Sequence, residues 1–112
     1  METREILIAA RAIITEPEHW TQGHSARTAS GDPITIGDPI AYAFCASGAI
    51  WRSLDNDVAD SKLHSAFGAL NECLPAGFES VVDYNDADAT RHADVIALFN
   101  RAIDAYTDSR MD

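Results

Sequence analysis

The sequence predicts a mainly α fold: a compact four-helix domain, single over residues 1–112, with one small β-hairpin. Three observations carry this. Apolar residues recur at three- and four-residue steps in four stretches. Proline, glycine and Asx-rich punctuation separates those stretches. The 112 residues, 46% hydrophobic and 23% charged, suffice for one buried core, and no linker, low-complexity tract or long repeat divides them.

The first helix is expected over residues 3–15, where Ile6, Ala9, Ala10, Ile13 and Ile14 share a face and Thr3 is the N-cap. Pro17 pushes Glu16 out of the α region and stops it. Glu18-His19-Trp20 is expected to form a short turn that brings Trp20 onto the core. The turn signature Ser30-Gly31-Asp32-Pro33 then predicts a hairpin pairing His24–Thr28 with Ile34–Ile36. Asp38 and Pro39 read as N-cap and first residue of the second helix, with Ile40, Phe44, Gly48, Trp51 and Leu54 along one face. Gly48 weakens that helix, so a close backbone approach is expected there.

Residues 57–74 read as the third helix, with Asp57 as N-cap, a stripe of Leu63, Phe67, Leu70 and Leu74, and Pro75 as its stop. Phe78 to Tyr84 is an extended piece or one helical turn. Thr90 is expected to cap the last helix, which runs to about Tyr106 on Val95, Leu98, Phe99, Ala102, Ile103 and Tyr106. Trp20, Phe44, Trp51, Phe67, Leu70, Leu98 and Phe99 are the expected core anchors.

Charge narrows the function classes. Eighteen Asp and Glu face eight Lys and Arg, a net −10. Direct nucleic-acid binding needs clustered cations, and none is present. An anionic membrane surface is disfavoured by the same sign, and no apolar run approaches the ~20 residues of a spanning helix. Cys45 and Cys73 lie 28 residues apart and form no paired motif. The expectation is a soluble, cytoplasmic protein with reduced thiols. Its leading function is to bind a protein partner, a basic one given the acidic balance.

The chemistry-bearing residues are few. There is no G-x-G-x-x-G, P-loop, H-E-x-x-H, G-x-S-x-G or EF-hand loop. The catalytic alternative is a cysteine-dependent hydrolase or transferase with Cys45 as nucleophile, His92 as base and Asp86 or Asn85 as orienter, because a thiol needs an adjacent imidazole and the imidazole a carboxylate or amide to hold it. Asn85, Asp86 and Trp20 are the candidate binding residues. The structural alternative has Asn85 and Asp86 fixing the start of the last helix, with His92 facing Asp86 or solvent. No metal is expected: His19 and His24, five apart, fit one helical face poorly. Asp83, Asp86, Asp88 and Asp94 lack the glycine and terminal glutamate of a calcium loop. No cofactor is expected.

Three blocks carry a family resemblance: Trp20-Thr21-Gln22-Gly23; Cys45-Ala46-Ser47-Gly48-Ala49; and Tyr84-Asn85-Asp86 followed by Asp94-Val95-Ile96-Ala97-Leu98-Phe99-Asn100-Arg101-Ala102-Ile103. Over about residues 5–105 the chain resembles a family of small uncharacterised bacterial and phage proteins. It carries Tyr84 where relatives often have tryptophan and Arg91 where threonine is usual, which leaves Thr90 as the expected cap. The resemblance implies that the blocks belong together, and it brings no activity, cofactor or site role.

Overall fold

The order of elements follows from where apolar stripes can be buried and where the backbone is drawn into extended pairing. A computed structural model describes residues 3–54 and 60–111. Among the described residues the elements are α1 (Thr3–Ile13), a 3-10 turn (Pro17–His19), β1 (Ala26–Arg27), β2 (Ala43–Phe44), α2 (Ala46–Leu54), α3 (Asp60–Glu72), α4 (Val81–Asp86) and α5 (His92–Met111). The protein is mainly helical, with a two-stranded antiparallel ribbon.

Helix α1 buries Ile6, Leu7 and Ala10, and Ile14 follows just past its end. It packs against α2, α5 and α3. Thr3 is its first helical residue rather than a cap. Leu63 and Leu70 of α3 are buried, with Phe67 and Leu74 partly buried beside them. The predicted cap Asp57 lies outside the described residues. On α5, Val95, Leu98, Phe99, Ala102 and Ile103 face the core as their spacing predicts. Each fully buried side chain of this size contributes roughly 1.5–3 kcal/mol, so these stripes supply the main stabilisation.

The last helix starts one residue later than predicted, and its cap differs. Thr90 is buried ahead of α5; Arg91 precedes the first helical residue, and its N–H donates to the Asp94 carboxylate at 2.9 Å. This is the back-reaching half of a capping box, with an acid in the first turn where the helix dipole favours it. Asp94→Ala is expected to cost about 0.5–2 kcal/mol in urea unfolding; no change would rule the cap out.

The second helix departs further. It does not begin at Pro39. Asp38 instead makes a local turn, its Oδ1 accepting from Ile40 N–H at 3.0 Å. Residues 42–45 are drawn out alongside β1: Ala26 pairs with Phe44 and Arg27 with Ala43. Tyr42 N–H donates to Arg27 O (2.8 Å) and Cys45 N–H to Ser25 O (3.2 Å). Aromatic Tyr42 and Phe44 suit a strand better than a helix. The predicted hairpin partner survives on the opposite edge of β1 as a single bridge, Arg27 with Pro33, and an Ile34 N–H bond to Ala26 O at 3.1 Å.

The later start moves the buried face of α2. Ala46, Ala49, Ile50 and Leu54 turn inward with Gly48. The predicted stripe is corrected accordingly: Ile40 is 65% exposed and Trp51 38% exposed. Trp20 and Phe67 are half-buried, while Phe44, Leu70, Leu98 and Phe99 are core residues as expected. The segment left open between extended and helical is α4, capped by Ser80, whose hydroxyl accepts from Asp83 N–H at 3.1 Å.

Candidate functional site

The three sequence blocks converge on one buried side chain, Asn85. It is 1% exposed, in the last turn of α4. Its Oδ1 accepts from Trp20 Nε1–H (2.8 Å) and from the backbone N–H of Ala46, the first residue of α2 (3.0 Å). Its Nδ2 donates to Thr21 O (3.0 Å) and to Asp86 Oδ1 (2.9 Å). A buried amide with all four of these bonds is a rigid joint, because any member lost leaves a desolvated group behind.

Gln22 and Arg27 extend the joint. Gln22 Nε2 donates to Asn85 O (2.8 Å) and Ala87 O (3.0 Å), tying the 20–23 segment to the end of α4. Arg27 holds the same segment from the other side, through Thr21 Oγ1 (2.9 Å) and Gln22 O (3.1 Å). Asp86 Oδ1 also accepts from Gly23 N–H at 3.0 Å, and Gly23 takes a φ of +85°, which favours glycine. Asp86 therefore closes α4 against the 20–23 segment and does not cap the last helix.

Cys45 stands immediately before α2. Its carbonyl accepts the first helical bond, from Ala49 N–H at 2.8 Å, and its Sγ accepts from Gly48 N–H at 3.3 Å. The thiol thus occupies the place that a serine or aspartate oxygen usually fills. Sγ also lies 3.1 Å from Ser47 Oγ. The chain beside it is very close: a Cβ added at Gly48 would stand 2.1 Å from the backbone oxygen of Ser25. This is the close approach that the mid-helix glycine predicts.

A cavity of about 270 Å³ opens here, lined by Gly23, His24, Ser25, Cys45, Ser47 and Asp86. Ser47 and Val82 line both this cavity and an adjoining groove of about 290 Å³, which reaches Trp51 and Phe67. The two form one cleft with a polar end and an apolar end. Val82 is 48% exposed on its wall.

The residues singled out in the sequence are only partly assembled. Trp20, Asn85 and Asp86 meet in one network, and Cys45 and Asp86 line one cavity. His92 is elsewhere. Its Nε2 bonds Ile14 O at 2.7 Å and its ring packs 6.0 Å from the Trp20 ring. No hydrogen bond joins it to Cys45 or Asp86 among the described residues, so the expected Cys45–His92 pair and the expected His92–Asp86 contact are not formed. The start of α5 is held to the end of α1 instead.

The other histidines are dispersed. His19 Nδ1 lies 2.6 Å from Tyr42 O, with the two rings at 4.5 Å, and His64 is exposed on α3. Nearby, the Glu18 carboxylate accepts from the Tyr42 hydroxyl and raises its pKa above the ordinary tyrosine value. Among the described residues no three His, Cys, Asp or Glu side chains are grouped to hold a metal ion. Gln22 and Ser47 are the site residues that sequence reasoning missed. Gln22 sits inside the first block, and Ser47 inside the second, but nothing local marks their contacts.

These features define a small helical protein whose sequence blocks build a single cleft around a helix-capping thiol. The chain belongs to a family of unknown function, DUF6197, whose model matches residues 1–105. No curated protein and no solved structure matches it. No helix among the described residues is long and apolar enough to cross a membrane.

Proposed function

We propose that the protein works by binding a basic protein partner, and that the partner seats an apolar side chain in the groove between Trp51, Phe67 and Val82. The observation that carries this reading is the pairing of apolar exposure with acidity at one place. Trp51 and Val82 are large apolar residues left exposed beside a groove, while Glu79, Asp83, Asp86 and Asp88 stand exposed on and around α4. An aromatic anchor supplies binding energy by desolvation. Surrounding carboxylates select a partner rich in Lys and Arg and speed its encounter. The net charge of −10 extends the same field over the molecule. It also disfavours direct binding to nucleic acid, whose phosphates it would repel.

The setting we propose is the cytoplasm of a bacterial or phage-infected cell. Both cysteines are free thiols, which suits a reducing compartment.

The test is affinity capture from a bacterial lysate at rising salt, followed by titration of the purified captured protein. Binding should weaken steeply with salt. Trp51→Ala should weaken it by about tenfold or more, and Asp83→Asn should flatten the salt dependence. A captured protein held equally at high salt, or equally by Trp51→Ala, would refute the reading.

A further inference from the structure

We propose that the polar end of the cleft seats a lysine ammonium, so that the segment recognised carries a lysine beside the bulky apolar side chain that fills the groove. This rests on the partner reading above and names the chemistry of that partner.

The seat is built around the Asp86 carboxylate. Asp86 lines the cavity of about 270 Å³ together with Gly23, Ser25 and Ser47. Its Oδ1 accepts from Gly23 N–H (3.0 Å) and from Asn85 Nδ2 (2.9 Å), which fixes the carboxylate before any ligand arrives. Its Oδ2 makes no hydrogen bond among the described residues. A carboxylate held in this way offers one open oxygen at little ordering cost. Among the described residues no lysine or arginine lines the cavity or the adjoining groove. Arg27, on the neighbouring strand, gives its guanidinium to Thr21 Oγ1, Gln22 O and Gly31 O instead. The charge at this end of the cleft therefore calls for a cation from outside, and Glu79, Asp83 and Asp88 add exposed carboxylates around it.

The same bonds choose between the two basic side chains. A guanidinium binds best when its fork spans both oxygens of a carboxylate. Oδ1 already accepts from Gly23 and Asn85, which uses its lone pairs, so the fork finds only Oδ2. An ammonium is a compact point charge with rotatable donors and needs no second carboxylate oxygen. Its further acceptor is Ser47 Oγ, which keeps a lone pair whichever way its contact with Cys45 Sγ at 3.1 Å runs. Ser47 and Val82 line both spaces. A side chain in the groove against Trp51 and Phe67 and a lysine in the cavity can thus belong to one short segment.

The probes are capped peptides that join phenylalanine to lysine through glycine spacers of increasing length, with arginine and norleucine versions of the tightest. Norleucine keeps the aliphatic stem and lacks the ammonium. Binding is followed by methyl NMR shifts of the full chain, Val82 among them, at about pH 8, where imidazoles are neutral and lysine is charged. The lysine peptide should bind about tenfold or more tighter than the norleucine peptide and roughly threefold or more tighter than the arginine peptide. Asp86→Asn keeps an amide oxygen to accept from Gly23 and Asn85, so the fold should stand. It should bring the lysine peptide to the norleucine affinity and leave the norleucine peptide unchanged. Trp51→Ala should weaken all three peptides alike. Equal affinity for lysine and arginine, a lysine peptide no tighter than norleucine or indifferent to Asp86→Asn, or saturable binding by no peptide would overturn the proposal. In each of those cases the partner reading stands if Trp51→Ala still weakens the captured protein. Lysine-selective binding at undiminished affinity in Trp51→Ala would confirm the ammonium seat and refute the apolar one.

Discussion

Asn85→Ala is expected to lower the folding free energy by about 4–6 kcal/mol, because it strands several buried groups at once. The Ala46 N–H loses an acceptor at 3.0 Å, the Trp20 indole N–H one at 2.8 Å, and the Thr21 carbonyl a donor at 3.0 Å. Leaving each buried and unsatisfied costs roughly 1–3 kcal/mol. A domain of this size is ordinarily stable by about 5–15 kcal/mol, so the variant should sit near its unfolding threshold. Trp20→Phe removes only one donor, and Asn85 Oδ1 keeps the Ala46 bond; its cost should be about 1 kcal/mol. Urea unfolding of both variants and of the double variant measures the coupling. A loss below about 2 kcal/mol for Asn85→Ala would mean that water satisfies the stranded groups and that the joint is not sealed.

This joint also shows how far local sequence reasoning reaches. The faces of α1, α3 and α5 follow from apolar spacing alone, because a helix must turn its stripe toward the core whatever its neighbours are. The close approach at Gly48 was legible for a similar reason: a glycine within a helix needs a packing explanation. The start of α2 was not legible. Asp38-Pro39 is a sound helix opening, but residues 42–45 find better partners in Ser25 and Arg27, about 15 to 20 residues upstream. That long-range pairing overrode the local signal.

Two further misreadings follow from that one event. Counting the stripe from Ile40 put Trp51 in the core, whereas counting from Ala46 turns it out beside Val82. Cys45, expected two turns inside a helix, becomes the cap itself. Where His92 lies could not be read from its position in the sequence either. Only the path of the chain sends His92 to the end of α1 and His24 to the cavity. The meeting of Trp20 with Asn85, 65 positions apart, is of the same kind. Both residues stand in the quoted blocks, so the resemblance grouped them where periodicity could not.

Gly48→Ala and Gly68→Ala should have opposite consequences although each replaces a helical glycine. Helix propensity favours alanine by about 1 kcal/mol at both positions. At Gly68, on α3, an added Cβ meets nothing within 4 Å, so the substitution should be neutral or should stabilise by up to about 1 kcal/mol. At Gly48 the same Cβ would stand 2.1 Å from Ser25 O and 3.0 Å from Ser25 C. These are backbone atoms, and no rotamer change relieves them. The 23–27 segment would have to lift off α2, stretching the Cys45 bond to Ser25 O, the Tyr42 bond to Arg27 O and the Gly23 bond to Asp86. Overpacking alone typically costs about 1–3 kcal/mol. With one or two ribbon bonds weakened as well, the expected loss is about 3–5 kcal/mol net of the propensity gain. Urea midpoints of the two variants decide the matter: equal, mild effects would show that Ser25 can yield and that the clamp on the cleft is soft.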